Sequence, residues 1–219
     1  MTHVRRFAAG VLLSSALLAS VLVNTGCLPI FAAGIGVAAL TAIDRRSVKT
    51  QADDTEIELR GANRLPMAIK GAPGVSVTSF NRRVLLTGQV PSETDKTDAE
   101  RAMRQVAGVT GVYNEIEVAP RVDVSTTAND AVLTARVKTA FIEQKVLESS
   151  AVKVTTSNGV VYLMGLVTAR EAPAFATTAS TVSGVRRVVT VFEFISDEQL
   201  AAIKASNNPK TVPTGPTHP

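Results

Sequence analysis

Few side chains in this chain of 219 residues have the type and spacing to do chemistry. The two histidines are His3 and His218, so neither modular region holds one to act as base or ligand. Four carboxylates, Asp53, Asp54, Glu56 and Glu58, crowd together but lack the regular ligand spacing of a calcium loop. They read as the solvated start of a helix, where acids favour the helix dipole. No phosphate-cradling glycine loop and no zinc spacing occurs. A nearly neutral chain with 4% aromatic residues is a poor nucleic-acid binder. The expectation is a non-enzyme with no catalytic residue, no metal, no cofactor and no nucleic-acid partner.

Cys27 is the one cysteine, so no intrachain disulfide can form. Before it stand Arg5-Arg6, an apolar run from Phe7 to Val23, and Asn24-Thr25-Gly26. A basic start, an apolar stretch and small residues describe a secretory signal, here residues 1–26. The end of it resembles the bacterial lipobox, whose thiol takes a diacylglycerol and becomes the new N-terminus. Thr25 and Gly26 fit that pattern, whereas Asn24 stands where a leucine is usual. Cys27 is therefore the expected lipidation site, and an inert cysteine in an uncleaved anchor is the alternative. A second apolar run, Leu28 to Ile43, falls short of the roughly 20 residues of a membrane span. It is expected to lie against lipid, with a transmembrane helix as the rival. Residues 27–52 are read as this anchored segment plus a linker. Leu28, rather than Asp, after the cysteine resembles the sorting rule for the outer membrane, with the protein facing the periplasm. An inner-membrane anchor is the reading that Asn24 leaves open.

Behind this front end the same pattern of residues occurs twice. Val75-Ser-Val-Thr-Ser-Phe-Asn81 leads into Val84-Leu-Leu-Thr-Gly88-Gln-Val90, and Val152-Lys-Val-Thr-Thr-Ser-Asn158 into Val161-Tyr-Leu-Met-Gly165-Leu-Val167. Each copy continues through an alanine-rich, helix-compatible stretch to a Gly-Val pair and a last strand: Gly108-Val109 to Val118, and Gly184-Val185 to Phe194. Repetition at this scale marks duplicated modules. Each is about 65 residues, a size at which a lone domain buries only about 60% of its unfolded surface. Two packed together would share stability.

The second copy predicts αββαβ. Asp130 is placed to cap a helix running to about Lys145, with Leu133, Val137, Ala140 and Phe141 on one buried face. Asn158-Gly159 signals a type I′ hairpin turn. Thr168-Ala-Arg-Glu171 is a capping box for the next helix. The first copy follows the same order with poorer signals. Gly61 and Pro66 predict a short or broken opening helix within about 53–69, Asn81-Arg82 replaces Asn-Gly, and Ser92-Glu-Thr-Asp95 caps the second helix. Gly88 and Gly165 recur inside the return strands, which suggests a bulge or close backbone approach, or else simple inheritance by duplication. Modules are expected at 53–119 and 129–195, with a linker at 120–128 and a disordered tail at 196–219.

Without Arg5 and Arg6 the chain has 21 basic against 19 acidic residues, net +2. Residues 53–118 carry 8 Lys+Arg against 10 Asp+Glu, net −2, and residues 129–195 carry 7 against 5, net +2. Anionic membrane surfaces attract basic segments, so the second module is the better candidate for lipid contact.

In Asp44-Arg-Arg-Ser-Val48, Thr50-Gln51, Val84-Leu-Leu-Thr-Gly88-Gln89 and Gly111-Val-Tyr-Asn-Glu-Ile116 the chain resembles a dual BON-domain outer-membrane lipoprotein. In the second copy Asn129-Asp130, Val152-Lys-Val-Thr-Thr156, Asn158-Gly159, Leu163-Met-Gly-Leu-Val-Thr168, Arg170-Glu-Ala172 and Val182-Ser-Gly-Val-Arg186 carry the resemblance. The family is the division- and outer-membrane-stress-associated lipid-binding lipoproteins. The resemblance implies an α+β fold of two tandem BON modules, each with a three-stranded mixed sheet and two helices on one face. It also implies anionic phospholipid binding through the second module and a part in outer-membrane integrity.

The opening helix of the second module can be read independently. Val132 and Ile142 point away from its core face, with Ala135 and Thr139 between them, Lys138 and Lys145 on one flank and Arg136 on the other. An apolar strip bordered by cations suits a surface lying among headgroups. The family often carries a tryptophan at the position of Val132, a better interfacial residue than valine. The candidate lipid-binding residues are thus Val132, Arg136, Lys138, Thr139, Ile142 and Lys145. The competing reading is a scaffold that docks on an envelope protein through the acidic first module, with Tyr113, Glu115 and Glu117 as the edge.

Overall fold

The computed structural model describes residues 44–69, 74–120, 123–144 and 148–207. Cys27, the two apolar runs, Lys145 and the last twelve residues lie outside them. The described residues all fall in one compact unit that contains all three apolar cores.

The first module comprises α1 (Val48–Ala68), β1 (Val75–Phe80), β2 (Arg83–Val90), α2 (Glu93–Arg104) and β3 (Gly111–Val118). The second repeats that order as α3 (Val124–Glu143), β4 (Val152–Ser157), β5 (Val160–Val167), α4 (Glu171–Ser180) and β6 (Arg187–Phe194), followed by α5 (Asp197–Asn207). Each module has a sheet ordered β1-β2-β3 or β4-β5-β6, with the hairpin antiparallel and the last pair parallel. A parallel pair needs a crossover, and α2 and α4 supply it. Helices cover one face of each sheet around Ile57, Leu86 and Met103, and around Val137, Leu163 and Phe175.

The central strands are apolar without alternation because both of their faces are covered. Val84 and Leu86 point to the helices of their own module, while Leu85 joins Phe80, Tyr162 and Met164 in a third cluster between the modules. Around that cluster some polar contacts are reciprocal, although the ion pairs of Arg83 with Glu193 and of Lys153 with Glu58 have no counterpart among the described residues. Asn81 Nδ2 donates to Glu193 at 3.1 Å, and its counterpart Asn158 Nδ2 donates to Glu117 at 3.3 Å. Thr78 and its own counterpart Thr155 meet at 3.4 Å. The reciprocal pairs are the signature of an approximately two-fold interface formed inside one chain. Burial, with Glu115 and Glu117 nearby, pushes the Tyr162 phenol up to about 12.

Arg45 ties the segment before α1 to the second module. Its guanidinium donates to Leu166 O at 2.7 Å, to Glu171 at 2.6 and 2.9 Å, and to Glu148 at 2.9 Å. The Arg45 hydrogen bonds, helped by Thr168 and opposed by burial, hold the Glu171 carboxyl down at about 2. Burial works against ionised Glu148, but Lys204 and Arg45 bring its carboxyl below the usual range.

Several boundaries differ from expectation. Helix α1 is continuous and begins at Val48, capped by Ser47. A Cβ on Gly61 would lie 2.7 Å from Met103 Cε, so glycine lets the helices approach. Pro66 falls in the last turn, where one lost hydrogen bond is offset by buried Leu65 and Ile69. The expected linker at 120–128 is helical from Val124, and Asp123 caps it by accepting from Thr126 N at 2.8 Å. Asp130 is no cap. Its buried carboxylate accepts from Asn158 N at 2.7 Å and Gly159 N at 2.8 Å, satisfying the two turn amides. Asp54 does the same for Asn81 N and Arg82 N, so it is not part of a solvated helix start. Within the expected tail, residues 197–207 are helical, opened by Ser196 and Gln199 capping each other and held by Lys204 to Glu148 and Arg170 to Asp197.

Other local expectations are met. Asn158 and Gly159 have φ of 50° and 72°, and Asn81 and Arg82 have 52° and 63°, so both hairpins turn the same way. The Thr168 and Glu171 capping box forms. A Cβ on Gly88 would lie 1.9 Å from Gly74 O and one on Gly165 2.6 Å from Ala151 O, so these glycines mark close backbone approach.

Candidate membrane-facing site of the second module

Helix α3 presents the candidate strip. Leu133, Val137 and Phe141 are buried, and the Phe141 ring meets Phe175 edge-on at 5.1 Å. That fixes the rotation of the helix. At about 100° per residue, Val132 and Ile142 stand about 80° apart on the far side. They are 50% and 67% exposed, large values for apolar side chains. Arg136, Lys138 and Thr139 are exposed beside them. Five of the six candidate residues therefore share one outer surface, and Lys145 lies outside the described residues. Among the described residues, α3 contains no ion pair, whereas α1 and α2 each carry two within the helix.

Beside this strip a cavity of about 390 Å³ opens between α3, the β4–β5 turn and the Gly184 turn. Its lining includes Asp130, Val132 and Arg136 from α3, Asn158 and Gly159 from the hairpin turn, and Ser183 and Arg186 from the segment before β6. Arg186 Nη1 donates to Asn158 O at 2.9 Å. Its stem lies over Gly159, where a Cβ would be 2.8 Å from Arg186 Cδ. Helical periodicity cannot bring Arg186 to this place, because it comes from the segment just before β6. The repeat alignment is the signal that could have found it.

Two of the three residues of the expected docking edge, all of them partly exposed, make contacts within the chain. Tyr113 packs into the cluster between the modules and its hydroxyl accepts from Arg83, while Glu117 accepts from Asn158.

The BON domain model matches residues 53–120 and again residues 129–195. The chain belongs to the BON-domain family. Outer membrane lipoprotein DolP of Haemophilus influenzae is 37% identical over 181 residues, covering 82% of this chain and 94% of that protein. The 21 kDa hemolysin of Actinobacillus pleuropneumoniae is 32% identical over 155 residues, covering 70% of this chain and 80% of the relative. Osmotically-inducible protein Y of Escherichia coli is 31% identical over 117 residues, covering 52% of this chain and 58% of the relative. The two BON modules seen here are the expected α+β units with three-stranded mixed sheets.

Proposed function

We propose that this chain is a non-enzymatic outer-membrane lipoprotein, anchored through Cys27 and facing the periplasm, whose second BON module binds anionic phospholipid and supports membrane integrity. The observation that carries the reading is the α3 surface, where exposed Val132 and Ile142 lie beside Arg136 and Lys138. Apolar side chains enter the headgroup boundary while long cations extend to phosphates. Similarity to a lipoprotein of the outer membrane along most of both chains supports the location.

Lys138→Glu with Lys145→Glu is expected to abolish co-flotation of residues 44–219 with phosphatidylglycerol vesicles, with the circular dichroism of the folded protein unchanged. Undiminished flotation of the folded double variant would remove this helix from the site.

A further inference from the structure

The cavity beside α3 has a counterpart in the first module, and the two differ in how their charges are used. Superposing the buried acids Asp54 and Asp130 sets Asp53 against Asn129, Glu56 against Val132 and Arg60 against Arg136. Matching Gly108 with Gly184 sets Thr110 against Arg186. The first cavity, about 250 Å³, is lined by Lys49, Asp53, Glu56, Arg60 and Arg82. Two of its cations are already neutralised, Lys49 by Asp53 at 2.8 Å and Arg60 by Glu56 at 2.7 Å, which leaves Arg82. In the second cavity both of those acids are replaced by uncharged residues. Asp130 remains, but its two oxygens accept from the turn amides. Among the described residues, neither Arg136 nor Arg186 forms an ion pair.

Two guanidiniums that line one cavity, whose carboxylate Asp130 is already engaged by the turn amides, are suited to a singly charged phosphodiester. The volume lies within the range of small-ligand sites. Val132 at the rim, half exposed, continues onto the apolar strip of α3. A free phosphate would leave that apolar rim unused.

We infer that this cavity seats the phosphodiester of one anionic phospholipid headgroup between Arg136 and Arg186, with the glycerol end leaving over Val132. This rests on the proposed lipid binding and deepens it: Arg186, from outside α3, becomes a headgroup residue, and the site is a cavity as well as a surface.

The test is flotation of residues 44–219 with phosphatidylglycerol or phosphatidylcholine vesicles, with and without excess inorganic phosphate. Arg136→Ala with Arg186→Ala is expected to weaken partition to phosphatidylglycerol about 30-fold, from two cations near the surface. Asn129→Asp with Val132→Glu installs the first module's carboxylates on a backbone that already accepts them, and is expected to weaken partition at least as much. If the wild type floats with phosphatidylglycerol and folded Arg186→Ala floats equally well, the headgroup seat is overturned while binding by the α3 strip stands. If inorganic phosphate at matched ionic strength releases the protein, the cavity takes free phosphate and the lipid assignment falls. If the wild type floats with neither lipid, the proposed function itself fails.

Discussion

The two modules share a backbone plan and differ in what they do with their charges. Both use a buried aspartate to hold a left-handed hairpin turn, and both use a glycine where the return strand passes its neighbour. Those residues specify the fold, and they recur. The first module pairs its helix charges internally, as Arg60 with Glu56 and Arg104 with Glu100. The second leaves Arg136 and Lys138 without a carboxylate among the described residues. Surface pairs of this kind contribute little stability, about 0.5 kcal/mol each. Their loss in one copy therefore costs the fold little and frees cations for an external anion.

The sharpest way to break the shared part is at the recurrent glycines. Gly88→Ala would force a Cβ against a carbonyl oxygen at φ 118°, and should cost about 4 kcal/mol in urea unfolding. Gly165→Ala meets Ala151 O less closely, at 2.6 Å, and should cost about half as much. Equal costs would mean that the close approach is not what the glycines serve.

Removing Arg45 tests whether the modules behave as one unit. Arg45→Ala leaves Glu171 and Glu148 without their shared cation and should cost about 3 kcal/mol. The pH profile of this loss has a definite sign. Glu171 has its folded pKa depressed to about 2, so its contribution is complete above the ordinary carboxylate value near 4.5 and fades as pH falls toward 2. Wild type and Arg45→Ala should converge in stability across that window. A constant difference between them down to pH 2 would show that packing, and not charge, is what Arg45 supplies.

The smallest effect expected is at the reciprocal latches. Asn81→Ala and Asn158→Ala should each cost about 1 kcal/mol. Each should weaken the contact between modules without altering either sheet, which amide exchange would report. A loss at one latch only would show that the two-fold relation does not extend to energetics.

Much of the fold was legible because local signals coincided with tertiary need. Asn158-Gly159 turns where it must, and Thr168 and Glu171 cap each other. What escaped was set by contacts distant in sequence. Asp130 has the type of a helix cap, but its partners are the turn amides some 28 residues on. Pro66 and Gly61 read as helix breakers because Met103 and the core that hold α1 together are not local. Arg45 sits in what reads as a linker, and its partners Glu148 and Glu171 lie more than a hundred residues away. The α5 helix was open to prediction, since Ser196-Asp-Glu-Gln199 is itself a capping pattern. In the candidate site, the α3 strip followed from periodicity alone, whereas Arg186 needed the fold.

If the second module is the lipid-binding unit, the folded modules recognise anionic lipid by themselves. The direct measurement is flotation of residues 44–219, which lack Cys27 and both apolar runs, with neutral and with anionic phospholipid vesicles at low and high salt. Co-flotation with anionic vesicles alone, released by salt as screening requires, is the predicted result. Absence from both vesicle fractions, or equal binding to both, would contradict it.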